Sequence, residues 1–197
     1  MGISRDRPII LASNSPRRRE LLAQIGLAFT VAPSDIDEQA LPGEEAETYA
    51  IRVAVDKARA AAERSGRGII IAADTIVVKG SMILGKPTDA GDAQRMLSLL
   101  SGSMHEVITG VAVVDAGTGK VTSGAAVTKV WFRELVREEI RAYIATGEPL
   151  DKAGAYGIQG KGALLVTKLE GCYFNVVGLP LSLLGNMLRG LGVDLLA

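Results

Sequence analysis

Residues 69–73 read Ile-Ile-Ile-Ala-Ala, five apolar side chains without a break, with Gly66 and Gly68 before them and Asp74 after. A strand with one face in water alternates apolar and polar residues, so a run without alternation is expected of a central strand buried on both faces. Helices packed on both sides of a sheet supply such cover. The rest of the chain offers them. Residues 8–12 read as a short buried strand, then Ser15 as a helix N-cap, Pro16 at the first helical position and an amphipathic helix ending at Gly26. A strand is expected at 29–32 and an irregular stretch at 33–43 that carries Asp35, Asp37 and Glu38. A long helix follows at 44–64, with Tyr49, Val53 and Ala54 on one face.

Asp74 is expected at the carboxyl end of the 69–73 strand, ahead of a hairpin formed by 76–78 and 82–84. A helix at 89–100, a long hairpin of 107–114 with 121–132, and a short helix at 137–145 come next. Residues 146–162 hold too many glycines for a helix or a plain strand, and 163–168 and 173–177 read as two further short strands before a last helix after Pro180. The fold class is mixed α/β. No internal repeat or Pro/Ser-rich linker divides the chain, so 1–197 is expected to act as one domain.

Composition narrows the chemistry. The 197 residues are 48% hydrophobic, which excludes a disordered chain, and 22 basic residues balance 22 acidic ones, so no global basic field holds nucleic acid. One cysteine, Cys172, and one histidine, His105, leave no internal disulfide and no Cys/His zinc cluster. No apolar run reaches the roughly 18 to 20 residues that cross a bilayer. The apolar stretch at 9–12 is too short for a signal peptide. A soluble, cytoplasmic protein is expected, with no nucleic-acid or membrane partner.

The pattern GxxxxGK[ST] and a strand-following GxGxxG are both missing, as is the GxSxG elbow of a serine hydrolase. Four other motifs sit where apolar segments end. LASNSPRRRELL at 11–22 places the hydroxyls of Ser13 and Ser15, a helix N-terminus and the guanidinium groups of Arg17 and Arg18 together, an anion site. Cations oppose the dipole at a helix start, which favours a bound phosphate over a merely solvated turn. AADTIVV at 72–78 brings Asp74 and Thr75 out of a buried strand; Asp74 reads as a metal ligand or general base, with a turn cap as the bland alternative. GKPTD at 85–89 fixes Lys86 between glycine and proline, where it can neutralise phosphate.

TGEPLDKAGAYGIQG at 146–160 sets Glu148, Asp151, Lys152, Tyr156 and Gln159 among glycines, a loop suited to approach a ligand and hydrogen-bond a base edge, or a structural turn. His105 reads as a hydrogen-bonded structural histidine and Cys172 as a small buried filler.

These motifs, with SGSMHEVITGV at 101–111 and GCYFNVVGLPL at 171–181, occur in an order that resembles the Maf family of nucleoside triphosphate pyrophosphatases. The resemblance spans nearly the whole chain and leaves about the first seven residues outside. It implies an inosine-triphosphatase-like (Maf/Ham) architecture: an elongated, twisted mixed sheet flanked by helices, two lobes sharing that sheet, and an active site in the cleft between them. It further implies hydrolysis between the α and β phosphorus atoms with a divalent cation, Asp74 standing where the family has its proton acceptor. Arg17, Thr75 and Gln159 stand where the pyrimidine branch sets base choice, and ADT with GIQG is similar to that branch, which takes dTTP and UTP.

The branch acting on 7-methylguanosine triphosphate differs at the residue after the aspartate. Arg17, Arg18, Lys57 and Lys86 would hold the triphosphate, and Glu38 and Asp74 would offer oxygen donors to Mg²⁺ or Mn²⁺. A 7-methylguanosine triphosphate pyrophosphatase and a nucleotide-sensing regulator of septum formation are the alternatives, and a homodimer is left open.

Overall fold

The computed structural model describes residues 7–196. Among the described residues, seven strands and six α-helices follow one another: β1 (Ile9–Leu11), α1 (Pro16–Gln24), β2 (Thr30–Val31), α2 (Ala46–Ser65), β3 (Ile69–Lys79), β4 (Met82–Leu84), α3 (Ala90–Leu100), β5 (Met104–Asp115), β6 (Val121–Phe132), α4 (Arg137–Ala145), β7 (Val166–Glu170), α5 (Tyr173–Val177) and α6 (Leu181–Arg189). The strands hydrogen-bond in the order β2-β1-β3-β5-β6-β7, with β4 beside β3. β1 runs parallel to both β2 and β3, whereas β3 with β4 and β6 with β7 are antiparallel, so the sheet is mixed.

Of the described residues, 7–74, 109–126 and 178–196 form one compact unit, and Thr75–Ile108 with Val127–Val177 form a second. The first is built on β1 and the start of β3, paired Ile9 to Ile69 and Leu11 to Ile71. Ile69, Ile70, Ile71, Ala72 and Ala73 are all fully buried, as the unbroken apolar run requires. One cover is α2, whose Ala54, Ala58 and Ala61 lie against Ile10, Ala12, Ile70, Ala72, Ala112 and Val114. Their spacing of four and three puts the alanines on one stripe, and methyl-sized side chains let the helix backbone come close to the sheet. The approach is tightest at Gly110 on β5, where a Cβ would lie 2.1 Å from the carbonyl oxygen of Ala50.

The second unit is larger-grained. Met96, Leu97 and Leu100 of α3, Ile140 and Tyr143 of α4, and Val107, Val130 and Phe132 of the long hairpin share one core with Tyr156 and Leu165.

Three elements differ from the expectation. β3 does not stop at Ala73 but runs on to Lys79, so Asp74 lies within a continuous strand and not at its carboxyl end. Residues 75–78 are Thr-Ile-Val-Val, β-branched throughout, and Val77 and Val78 pair with Leu84 and Ile83, which extends the strand into the expected hairpin. Residues 173–177 form the short helix α5 instead of a strand. There Asn175, fully buried, donates from Nδ2 to the Val107 carbonyl and to Thr128 Oγ1, both at 2.9 Å, and these long-range bonds override β propensity. The strand expected at 163–168 starts later, at Val166, because Gly160–Leu165 turn as a 3₁₀ helix.

The close helix–sheet approach makes a testable point. Gly110→Ala should lower the stability of the protein by about 1–3 kcal/mol, the cost of forcing a methyl group into a filled backbone contact, or prevent folding. Urea denaturation of the variant against the parent chain measures it, and an unchanged midpoint would show that α2 can lift off β5 freely.

Candidate active site

The segment leaving β1 is organised by its own hydroxyls. Ser15 caps α1, its Oγ accepting the Arg18 backbone N–H at 3.4 Å. Ser13, buried, accepts the Ser15 N–H at 3.2 Å and Arg18 Nη1 at 3.1 Å on the same Oγ. Arg18 is further anchored by its Nε, which donates to the Gly178 carbonyl at 2.8 Å. Burial pulls the Arg18 guanidinium below its ordinary value and Arg17 adds to this, while Asp74 and Glu38 oppose it. Arg17 is half-buried and Arg19 exposed. Two serines and an anchored arginine thus line the start of a helix whose first N–H groups and dipole favour an anion.

The acidic side of the same unit is held by α2. Lys57, buried in mid-helix, donates from Nζ to Asp74 Oδ1 at 2.8 Å and pairs with Glu38 Oε1 at 2.9 Å. Lys57, expected among the phosphate-binding cations, therefore joins the two expected metal ligands. Glu38 reaches this point because α2 grips the irregular stretch that carries it. Tyr49 donates its hydroxyl to the Glu38 carbonyl at 2.7 Å, and Arg52 donates to the Gln39 carbonyl at 3.0 Å. Arg52 also forms a two-pronged pair with Glu44, at 2.6 and 2.8 Å, while Glu44 accepts the Leu41 N–H at 3.0 Å.

The arginine drives the Glu44 carboxyl down to about 2. Burial, together with the charges on Asp74 and Glu38, pushes the Tyr49 hydroxyl up, which keeps it a donor at neutral pH. No motif in the sequence points to Tyr49, Arg52 or Glu44 as site residues. The sequence marks Tyr49 by its place on one face of α2 and Arg52 by its spacing from Tyr49 and Asp56, and it leaves Glu44 unmarked.

Among the described residues no group of three or more His, Cys, Asp or Glu side chains is placed to enclose a metal ion. The chemistry of the pair still suits a hard cation: Glu38 and Asp74 are oxygen donors that converge on one point, now neutralised by Lys57. Two carboxylates make an incomplete set, so a cation held there needs further oxygens from substrate and water.

Thr75, Lys86 and Gln159 belong to the second unit. Thr75 follows Asp74 in β3 and is half-buried; Lys86 and Gln159 are exposed, Lys86 just after β4 and Gln159 ahead of the last 3₁₀ turn. The glycine-rich loop around Gln159 is scaffolded by its other polar residues. Glu148 accepts the Tyr143 hydroxyl and the Gly162 N–H on Oε1 and the Lys161 N–H on Oε2, at 2.8, 3.0 and 3.0 Å. Lys152 donates to the Glu148 carbonyl and to Asp151, both at 2.6 Å.

Tyr156 pairs with His105 Nε2 at 2.7 Å, and both rings meet Phe132 edge-on. His105 is accordingly the structural histidine expected, although it lies within β5 and not ahead of it. Cys172 departs from its expected role as a buried filler: it is half-buried, and Thr128 Oγ1 holds both its N–H and its carbonyl.

A family profile described as "Maf-like protein" matches residues 8–191. The dTTP/UTP pyrophosphatase of Geotalea uraniireducens is 54% identical over 184 residues, which cover 93% of this chain and 95% of that one. The dTTP/UTP pyrophosphatase of Acetivibrio thermocellus is 50% identical over 195 residues, covering 95% and 97%. Among solved structures, the Ham1 protein of Staphylococcus aureus aligns with 79% of this chain and 78% of its own at a TM-score of 0.48 and 14% identity, a likeness too slight to build on. The architecture rests on the strand order above.

His105 gives this region a pH signature. Burial, assisted by Lys79, lowers the imidazole to about 4 from an ordinary 6.5. The unfolded chain thus binds a proton that the folded chain refuses between those values, and folding stability falls as pH drops from 6.5 towards 4. The loss attributable to His105 should reach roughly 3 kcal/mol at the acid end. Urea midpoints at pH 7, 5.5 and 4.5 should show this slope in the parent chain and lack it in His105→Asn; parallel slopes would remove the histidine from the acid response.

Proposed function

Because this chain belongs to the Maf family, we propose that it hydrolyses dTTP and UTP between the α and β phosphorus atoms, releasing the nucleoside monophosphate and pyrophosphate. The observation that carries this reading is the buried Lys57 joining Glu38 and Asp74, in the same unit as the Ser13, Ser15 and Arg18 constellation at the start of α1. Together they offer an anion site and a carboxylate pair, which an anhydride hydrolase requires.

Asp74 is the proton acceptor in this mechanism. Lys57 occupies Oδ1, so Oδ2 takes the proton as water adds to the α phosphorus, and the bond to the bridging oxygen breaks as pyrophosphate leaves. Arg17 and Arg18, with the hydroxyls of Ser13 and Ser15, hold the triphosphate, and Lys86 adds a point charge. Lys57 orients Asp74 and relieves the repulsion between the two carboxylates when no cation is bound. Glu38 and Asp74 would hold Mg²⁺ or Mn²⁺, which supplies charge neutralisation for the triphosphate and a more acidic water. Gln159 reads the base, with Thr75 and Arg17 completing the selection: an amide both donates and accepts, which matches the carbonyl, N–H, carbonyl edge shared by uracil and thymine. We further read the chain as a single Maf-like domain acting in the cytoplasm, as a monomer or a homodimer.

A panel of triphosphates, with the products separated and identified, tests the reading. dTTP and UTP should give pyrophosphate and monophosphate in equal amounts, EDTA should abolish turnover, and orthophosphate as the first product would sink the proposal. Asp74→Asn should retain nucleotide binding while losing about 10²- to 10⁴-fold in kcat, the usual worth of a positioned base. Lys86→Ala should raise KM as well, since its phosphate contact exists before the reaction starts.

A further inference from the structure

The loop at 146–162 is more tightly determined than a surface loop needs to be. Its one half-buried carboxylate, Glu148, spends both oxygens on holding the loop, accepting the Lys161 and Gly162 N–H groups within it and the Tyr143 hydroxyl of α4. That hydroxyl in turn accepts the Gly157 N–H at 3.2 Å. Burial alone would raise the Glu148 carboxyl, yet these donors, with Lys152, hold it below its ordinary value. The backbone shows the same constraint. Gly154 and Ala155 both have positive φ, 67° and 59°, and Ala155 is the one described residue other than glycine in that region. A left-handed alanine persists only where its surroundings fix it, and such positions gather near functional segments.

The fixed points bracket Gln159. On one side Gly157 is tied to Tyr143, and Tyr156 to His105; on the other Lys161 and Gly162 are tied to Glu148. A Cβ at Gly160 would meet Glu148 Oε2 at 2.8 Å and one at Gly162 would meet the Gly157 carbonyl oxygen at 2.2 Å, so the carboxylate and the backbone ends of the loop are packed against each other. Between them Gln159 is exposed.

We propose that Glu148 is a positioning residue for base selection: through Tyr143, Lys161 and Gly162 it fixes the backbone on both sides of Gln159 and so aims an exposed amide at the pyrimidine edge. The assignment rests on the base-reading role of Gln159 stated above. An exposed glutamine on a loose backbone would lose its directional preference to conformational entropy; a clamped backbone leaves only its own side-chain torsions to be ordered on binding.

The test is the ratio of kcat/KM for UTP to that for CTP, measured together with the thermal midpoint of each variant. Glu148→Ala should lower the ratio roughly tenfold, the worth of about one well-aimed hydrogen bond, chiefly by raising KM for UTP with kcat nearly unchanged. Glu148→Gln keeps an oxygen for Tyr143 and Gly162 but turns an amide N–H₂ toward the Lys161 N–H, so its ratio should fall between the two. Tyr143→Phe, a milder change than deleting the carboxylate, should also lower the ratio and serves if Glu148→Ala does not fold.

Glu148→Ala/Gln159→Ala should have the ratio of Gln159→Ala alone, because both act through one contact. A parental ratio in folded Glu148→Ala and in Tyr143→Phe, while Gln159→Ala lowers it, overturns the positioning role and leaves base reading intact. A parental ratio in Gln159→Ala itself overturns base reading, and the positioning role with it.

Discussion

An aspartate in the middle of a strand whose five preceding residues are buried cannot stand alone. Taking a carboxylate out of water costs several kcal/mol unless a cation and hydrogen bonds meet it. Lys57 is that cation, and its own burial creates the reciprocal demand for Asp74 and Glu38. Much of the first unit follows from satisfying this triad. α2 must lie close enough to β3 for a lysine side chain to reach, which the alanine stripe and Gly110 allow. The acidic stretch must fold back over the helix so that Glu38 arrives, which Tyr49 and Arg52 enforce.

Several charged residues of the conspicuous motifs are tied down by the protein's own groups. Arg18 is held by Ser13 and Gly178, and Glu148 and Lys152 hold the loop around Gln159. Groups fixed in this way lose little entropy when a ligand arrives and reorganise little as charge moves during the reaction. Lys86 and Gln159, which are exposed, are the natural places for the remaining adaptability.

The architecture was legible where local chemistry decides it. Ser15 and Pro16 mark the start of α1, the glycine at 66 closes α2 in the left-handed conformation, and the glycine-rich turn at 116–120 locates the long hairpin. The acids and basic residues of the first unit were also visible, because a carboxylate after a buried run and arginines at a helix start are both locally anomalous. Pairings were not visible. Nothing in the spacing of 17 residues between Lys57 and Asp74 says that they touch, and the charge of Lys57 alone points to phosphate. The length of β3 was missed because a polar residue looks like an end. The 173–177 helix was missed because its aromatic and β-branched residues favour strand, and only the distant partners of Asn175 decide otherwise.

The first unit is assembled from stretches that lie far apart in the chain. Arg18 is fastened to Gly178, 160 positions later, and Arg7 donates to the Leu191 carbonyl and to Asp115. Of these partners, Gly178 and Leu191 are synthesised after residues 75–177. Residues 75–108 and 127–177, by contrast, are complete before the final stretch appears. The order of synthesis therefore lets residues 75–108 and 127–177 come together before Gly178 is there to hold Arg18. A nascent chain stalled before residue 178 would carry every acid and base assigned to catalysis, yet its Arg18 would lack the carbonyl that holds it.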